Sequence, residues 1–411
     1  MFKKDVQYYK FCFYGFLKNL RFFEPFFILF LLEKNLSFLQ IGTLYAIREI
    51  AVNILEIPSG IFADAFGRRR SLVFSFIFYI ASFIIFFFSE LYVFFILSMI
   101  CYAMGDAFRT GTHKAMIFDY LKLNHWKDQR AHYYGHTRSW SQTGTAISSL
   151  MAGFIVFFEG NYQSVFLYST IPYILDMLLI LSYPKILDGA NKKTGIKQIK
   201  KEMVTISKEF ITSFKNIYVL RAINNLSVHS GFHKSIKDYL QPVLEIFAIS
   251  VPVMMAYSQK QKTAVIIGIL FFMIYLLTAY GSRKAGKIKD KLKSIELAIN
   301  LTMYAGFILA IVSGIFYHFS FYLVSAIFFV VIYIVENIRN PIGVAYVSEL
   351  YKDEILATAL SANSQAKSLY AAIIAPVLGF LADKFDIGIA LCLIGLVLIL
   401  TSFFYIARRK P

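Results

Sequence analysis

The chain has 411 residues, of which 58% are hydrophobic and only 16% charged, with 43 Phe and 27 Tyr. Water-soluble globular chains carry about a quarter charged residues, so a soluble enzyme or binding module is excluded. The net charge of +17 does not signal nucleic-acid binding, because Lys and Arg fall mostly in the connections between apolar runs, as in loops kept on the cytoplasmic side.

Apolar runs near the ~20 residues needed to cross a hydrocarbon core follow one another along the whole chain. Residues 1–10 lead into the first without a small-residue cleavage site, so they are read as retained and not as a signal peptide. Six helices are expected over 11–32, 39–62, 71–88, 91–113, 134–158 and 163–183. Six more are expected over 217–241, 263–281, 295–316, 320–345, 356–382 and 387–407. Pro25, Pro58, Pro172 and Pro376 read as kinks in these spans, and the abundant Phe and Tyr as packing and lipid-facing surface. Cys12, Cys101 and Cys392 lie far apart inside spans, with no disulfide framework or metal-ligand spacing.

Alternate counting of the connections puts the Arg68-Arg69-Arg70 turn, residues 122–130, 184–216 and 283–293, and the Arg408-Arg409-Lys410 tail on one face. The links on the other face are short and weakly basic, apart from Lys260 and Lys262. The positive-inside bias then places both termini in the cytoplasm of a multi-pass protein of the cell (inner or plasma) membrane. In the 184–216 linker, Lys197, Lys200, Lys201 and Lys208 alternate with Ile196, Ile199, Met203, Ile206 and Phe210, which suits an amphipathic helix on the inner surface. The expected architecture is an all-α membrane protein of twelve transmembrane helices. Its two six-helix bundles span 1–183 and 217–411, the layout of transporters built from paired inverted repeats.

Between the second and third spans stands Gly60-Ile61-Phe62-Ala63-Asp64-Ala65-Phe66-Gly67-Arg68-Arg69-Arg70. Gly60 permits close helix approach, Gly67 a tight turn, and Asp64 can meet a helix N-terminus or an Arg. This run resembles the signature loop of the major facilitator superfamily, in which Gly, three residues, Asp, a basic residue, any residue and Gly precede further basic residues. Ala65 departs from the usual basic residue. The resemblance implies that the loop latches the cytoplasmic ends of the two halves, with Gly60, Asp64, Gly67 and Arg68 as its parts and Asp119 as a further partner. A second run, Gly379-Phe380-Leu381-Ala382-Asp383-Lys384-Phe385, looks like a copy. Parity places it on the outer face, and it reads as a chance likeness or a helix-end turn.

Ionisable residues inside spans are costly and by default face a cavity or another charge. Residues three and four apart share a helix face. By that rule the first span carries Lys18, Arg21 and Glu24, and the fourth Asp106, Arg109, Thr110 and His113. The seventh carries Arg221, Asn225, His229, His233, Lys237 and Gln241, and the tenth Tyr333, Glu336, Asn337 and Asn340. The family resemblance implies that these four helices line the central cavity. Candidate substrate-binding residues are therefore Lys18, Arg21, Asp106, Arg109, His113, Asn225, His229, His233, Lys237, Tyr333, Glu336 and Asn337. The second span shows Tyr45, Glu49, Asn53 and Glu56 on one face. A buried carboxylate can carry a proton, so Glu49 is favoured for coupling, with Glu56, Asp106 and Glu336 as rivals. Lys234 and Asp238, four apart, read as an internal ion pair. His229 and His233 lack a third ligand nearby in sequence, and no metal site is expected.

Bases outweigh acids on the four rows, which points to an anionic or zwitterionic solute whose carboxylate or phosphate an Arg can hold. The expected activity is secondary active transport by alternating access, coupled to protons, with export slightly favoured over uptake and a monomer as the working unit. No phosphate-cradling Gly-rich loop with Lys and Ser/Thr is present, so neither ATP nor another cofactor is expected. Rival readings are a cation/drug–proton antiporter, and a non-transporting membrane sensor or lipid scramblase. A membrane-embedded enzyme would need a head-group-binding loop longer than any outer connection here, and no enzyme activity is expected.

Overall fold

A computed structural model of the chain describes residues 4–126, 129–188, 217–252, 254, 256–292, 294–350 and 353–407. The amphipathic helix expected within the 184–216 linker lies outside them from residue 189 on. The described secondary structure is helical throughout. In chain order it runs α1 (Val6–Lys18), α2 (Phe27–Glu33), α3 (Phe38–Phe66), α4 (Arg68–Phe88), α5 (Tyr92–Arg109), α6 (Thr112–Leu123), α7 (Arg130–Glu159) and α8 (Ser164–Leu181). It continues with α9 (Ile217–Ile236), α10 (Leu240–Ser250), α11 (Gln259–Lys291), α12 (Ile295–His318), α13 (Tyr322–Leu350), α14 (Asp353–Lys384) and α15 (Ile387–Leu400).

Among the described residues, ten helical stretches are long and apolar enough to cross a membrane, with α5 and α6 forming one of them. Large apolar side chains such as Phe88, Phe154, Phe158 and Leu400 are exposed on helix flanks, as a hydrocarbon solvent permits and water does not. The first and seventh expected spans are interrupted. Between α1 and α2 the Asn19 amide donates to the Gly15 carbonyl at 2.6 Å, and Pro25 opens a 3₁₀ turn over Glu24–Phe26. Between α9 and α10 a 3₁₀ turn covers Lys237–Tyr239. Irregular backbone at membrane depth is tolerated where protein or a watery cavity satisfies it. Pro58, Pro172 and Pro376 lie inside continuous helices. The basic stretch after Gly281, expected as a loop, continues α11 to Lys291.

Two compact units emerge from the packing. The first is drawn from residues 1–30, 50–195 and 253–275, the second from 31–49, 196–252 and 276–411. In the first, α4 packs on α5 and α8, and α1 on α7. Its core is aromatic: Phe166 stacks on Phe23 and Phe86 with centroids 5.4 and 4.9 Å away, and Tyr173 meets Phe83 edge-on at 4.9 Å. In the second, α12 packs on α13 and α15, and α9 on α14.

Two helices are shared out between the units: α3 divides after Glu49 and α11 after Tyr275. Both begin with the same capping box. Ser37 and Gln40 of α3 exchange side-chain-to-backbone bonds of 2.9 and 3.3 Å. Ser258 and Gln261 of α11 do so at 3.0 and 3.3 Å. In the second unit the start of α3 lies against the end of α14. Asp383 accepts from the Phe38 and Leu39 amides, both at 2.8 Å, and so takes up two of the four N–H groups that a helix start leaves unpaired. A Cβ on Gly379 would lie 2.1 Å from the Phe38 carbonyl oxygen, and one on Gly42 2.2 Å from that of Ala375. The Gly379–Asp383 run is a helix-end element, as one of the two expectations had it: its glycine admits the α3 backbone and its aspartate, one turn on, caps it. In the first unit Gly153 of α7 and Gly268 of α11 make the corresponding approach, their α-carbons each 3.2 Å from the other's projected Cβ.

Gly67 turns the chain between α3 and α4 with φ of +98°. The Asp188 carboxylate lies against it and accepts from the Arg69 amide at 2.7 Å, capping α4 in the absence of any side-chain cap from Gly67 itself. Gly60 has open space where its Cβ would be, so the close approach expected there occurs at Gly42 instead. Gly42→Leu should lower the melting midpoint through an overpacking cost of about 1–3 kcal/mol, while Gly60→Leu should leave it within the range of surface changes; thermal melts in detergent compare the two. Asp188→Ala removes a cap and should cost about 1 kcal/mol, read in the same melts.

Candidate functional site

Span four is broken by Gly111, whose φ of +76° suits a residue without Cβ. On either side of the break, Arg109 at the end of α5 and His113 at the start of α6 face α1. A cavity opens there in the first unit. Its walls include Tyr14, Lys18, Arg109, His113, Lys114 and Arg138. Four are cations, and no acid lines it among the described residues.

These cations are held differently. Arg109 donates from Nε to the Tyr79 hydroxyl at 3.0 Å, and its Nη2 is 3.5 Å from the Asp106 carboxylate. Tyr79 in turn donates to the same Asp106 oxygen at 2.5 Å. Asp106 thus serves as the partner of Arg109 behind the cavity wall. Lys114 sits 5.5 Å from the ring centres of Phe118 and Tyr134, a cation–π arrangement. No acceptor among the described residues bonds Lys18 Nζ or the exposed Arg138 guanidinium. The His113 ring stacks on Tyr14 with centroids 3.5 Å apart, and its Nε2 lies 3.2 Å from the Tyr183 hydroxyl. Arg21 stands apart from the cavity lining and donates to the Tyr173 hydroxyl at 3.2 Å.

The second unit gathers the other candidates into bonded networks. Glu336 accepts from His229 Nδ1 at 2.9 Å and from the Ser230 hydroxyl at 2.7 Å. His233 meets the Tyr333 ring edge-on at 5.2 Å, and the Tyr333 hydroxyl donates to the Lys237 carbonyl at 2.7 Å. Asn337 donates to the Tyr333 carbonyl at 2.9 Å. Asn225 donates to Asn300 at 2.9 Å and is held by Arg339, whose Nη2 is 2.9 Å from its carbonyl. Arg339 is 1% exposed; it also donates to the Thr302 hydroxyl at 2.9 Å and to the Ile299 carbonyl.

Glu49, 2% exposed, is ion-paired with Lys234 at 2.5 Å and has Arg48 at 3.6 Å. This corrects the expected Lys234–Asp238 pair. The 3₁₀ turn after Ile236 changes the register, so Asp238 pairs with Lys237 at 2.7 Å and accepts from the Tyr45 hydroxyl at 2.7 Å. Glu56 lies further along α3, in the part belonging to the first unit. Of the expected latch residues, Arg68 is ion-paired with Asp119, Gly67 is packed on Asp188, and Asp64 is exposed.

Sequence reasoning missed four residues. Asp188 and Asp383 act through backbone amides remote in sequence, a bond that no spacing rule reveals. Arg339 lies three residues from Glu336, and the polar row of span ten was drawn through Asn340, which is exposed. Asp176 is a lone acid in the apolar run of α8 and is completely buried. It is visible in the sequence as an intramembrane charge, but no second charged residue shares its helix to form a polar row.

Comparison with known proteins agrees with this architecture. A sequence profile of the Major Facilitator Superfamily matches residues 11–338. An uncharacterised MFS-type transporter of Bacillus subtilis (strain 168), YxaM, is 24% identical over 395 residues, covering 93% of this chain and 90% of its own. Among solved structures, the nucleoside transporter NupG superposes with a TM-score of 0.73 at 13% identity, over 98% of this chain and 97% of its own. A D-xylose–proton symporter gives 0.68 at 15% identity, over 97% and 96%. At such identities the structural likeness speaks to the fold alone. With the profile match spanning most of the chain, and with a helical membrane fold in which several intramembrane charges line one cavity, this protein belongs to the major facilitator superfamily and is a multi-pass membrane transporter, not an enzyme.

Proposed function

We infer that the protein carries a small anionic or zwitterionic solute across the inner or plasma membrane by alternating access, coupled to protons. The reading is supported above all by the cavity of the first unit. Lys18, Lys114 and Arg138 face it with no acid among its described walls, while the one carboxylate bonded to Arg109 lies behind it. A cluster of cations of this kind favours a carboxylate or phosphate and repels a lipophilic cation. In the second unit the acids that a cation carrier would need, Glu49 and Glu336, are already bonded to Lys234 and to His229 and Ser230. The working unit is taken as a monomer of two bundles, 1–183 and 217–411, joined by 184–216. The Arg68–Asp119 pair, with Gly67 and Asp188, makes the basic turn rigid enough to serve as one side of a conformational latch.

The test is thermal melting of the purified protein against panels of anionic, zwitterionic and cationic solutes. A ligand at about 100 times its dissociation constant stabilises by about 2.7 kcal/mol. Anions or zwitterions should raise the midpoint, and Arg138→Gln, which removes a cation bonded to nothing in the described structure, should remove most of that rise. Stabilisation by cations alone would instead establish the cation–proton antiporter reading.

A further inference from the structure

Another concavity of the first unit lies on its flank, where the end of α7 meets the start of α11. Gly153 and Gly268 bring the two helices together there. Around that contact Leu150, Phe154, Phe157, Phe158, Val265 and Ile269 line a groove whose described walls are apolar throughout. Leu150, Phe154, Phe158 and Ile269 are exposed, so the groove opens sideways to hydrocarbon. It follows α7 for two turns, about 12 Å. In a bilayer an acyl chain fills such a groove, and a chain alone does not tell one lipid from another.

The groups that can tell lipids apart stand at the start of α11. Side chains three or four residues apart share a helix face. Lys260 therefore heads the row of Ala264 and Gly268, and Lys262 the row of Val265 and Ile269, all four of which line the groove. The Lys260 ammonium lies 5.8 Å from the centre of the Tyr162 ring. No acceptor among the described residues bonds the Lys262 ammonium. Glu159, the acid that ends α7, accepts from the Tyr168 hydroxyl at 2.8 Å. The Gln261 side chain donates to the Phe157 carbonyl at 3.1 Å and so ties the segment carrying both lysines to the opposite wall. On a face expected to be weakly basic, these two lysines are the exception.

We propose that this groove binds one phospholipid with an anionic, amine-free head group, its acyl chain along Val265 and Ile269 and its phosphate beside Lys260 and Lys262. Two ammoniums at the head of an apolar groove complement a lipid of that charge and shape. A zwitterionic head group brings an ammonium of its own toward the lysines and is disfavoured. A second copy of the chain meeting this face across a two-fold axis would set each lysine pair against itself. The lipid touches both helices and holds the start of α11 on α7. No residue of this groove lines the cationic cavity, so the site is independent of what the transporter carries.

Native mass spectrometry of the full-length protein in detergent, titrated with dioleoylphosphatidylglycerol or dioleoylphosphatidylcholine, tests this. The glycerol lipid should form a one-to-one adduct with an apparent affinity about tenfold above that of the choline lipid. Lys260→Gln combined with Lys262→Gln should bring the two lipids to parity, while Lys260→Arg with Lys262→Arg should keep the preference. Ile269→Trp, which fills the groove from an exposed position, should weaken both lipids. The lysine variants leave the groove walls untouched, so they decide the matter even if the Trp variant folds poorly. Equal affinity of the wild type for the two lipids, or a preference that survives the double Gln variant, overturns the proposal. So does a dimer in the lipid-free spectrum that Ile269→Trp abolishes, which would assign the groove to a second copy of the chain.

Discussion

A polar group placed in hydrocarbon has no water to turn to, so each backbone amide and each charge in this chain must find its partner within the protein. The helix starts show the consequence most directly. Ser37 and Gln40, and again Ser258 and Gln261, close the first turns of α3 and α11 by the same reciprocal bonds. What these boxes leave open in α3 is taken by Asp383 from the far end of α14. Such a bond forms only if the two backbones approach closely, and the absence of a Cβ at Gly42 and Gly379 allows that approach. Capping and close packing are thus one arrangement.

The same constraint sorts the charged side chains. Several of those of the second unit form bonded networks, where Glu49, Asp238 and Glu336 each meet a base or hydroxyl and the buried Arg339 donates to carbonyl and hydroxyl oxygens. Networks of this kind fix helix positions and leave little capacity for a ligand. In the first unit the balance is left open: Lys18 and Arg138 face a cavity, while the buried Asp176 keeps its distance from both donors and water. Sites that hold charge in reserve are where a solute can complete the balance.

Much of the architecture was legible because it depends on local pattern. Apolar run length located the helices, and the Gly60–Arg70 run pointed to the family. Helical spacing also marks Lys18, Arg109 and His113, which line the cavity of the first unit. The same spacing misled at Lys234 and Asp238, where a 3₁₀ turn breaks the helical register. It misplaced the close contact at Gly60 as well, since a glycine marks where helices can approach but not which partner does.

The sequence by itself determined the solvent, the class of fold and the family, because burial in lipid demands long apolar helices and leaves that demand written in composition and order. The tertiary structure alone decided which charges are satisfied. Pairings such as Glu49 with Lys234 and Asp383 with the start of α3 join residues nearly two hundred or more positions apart. Whether a charge is spent on the fold or available to a solute depends on those long-range distances, and no periodicity along the chain encodes them.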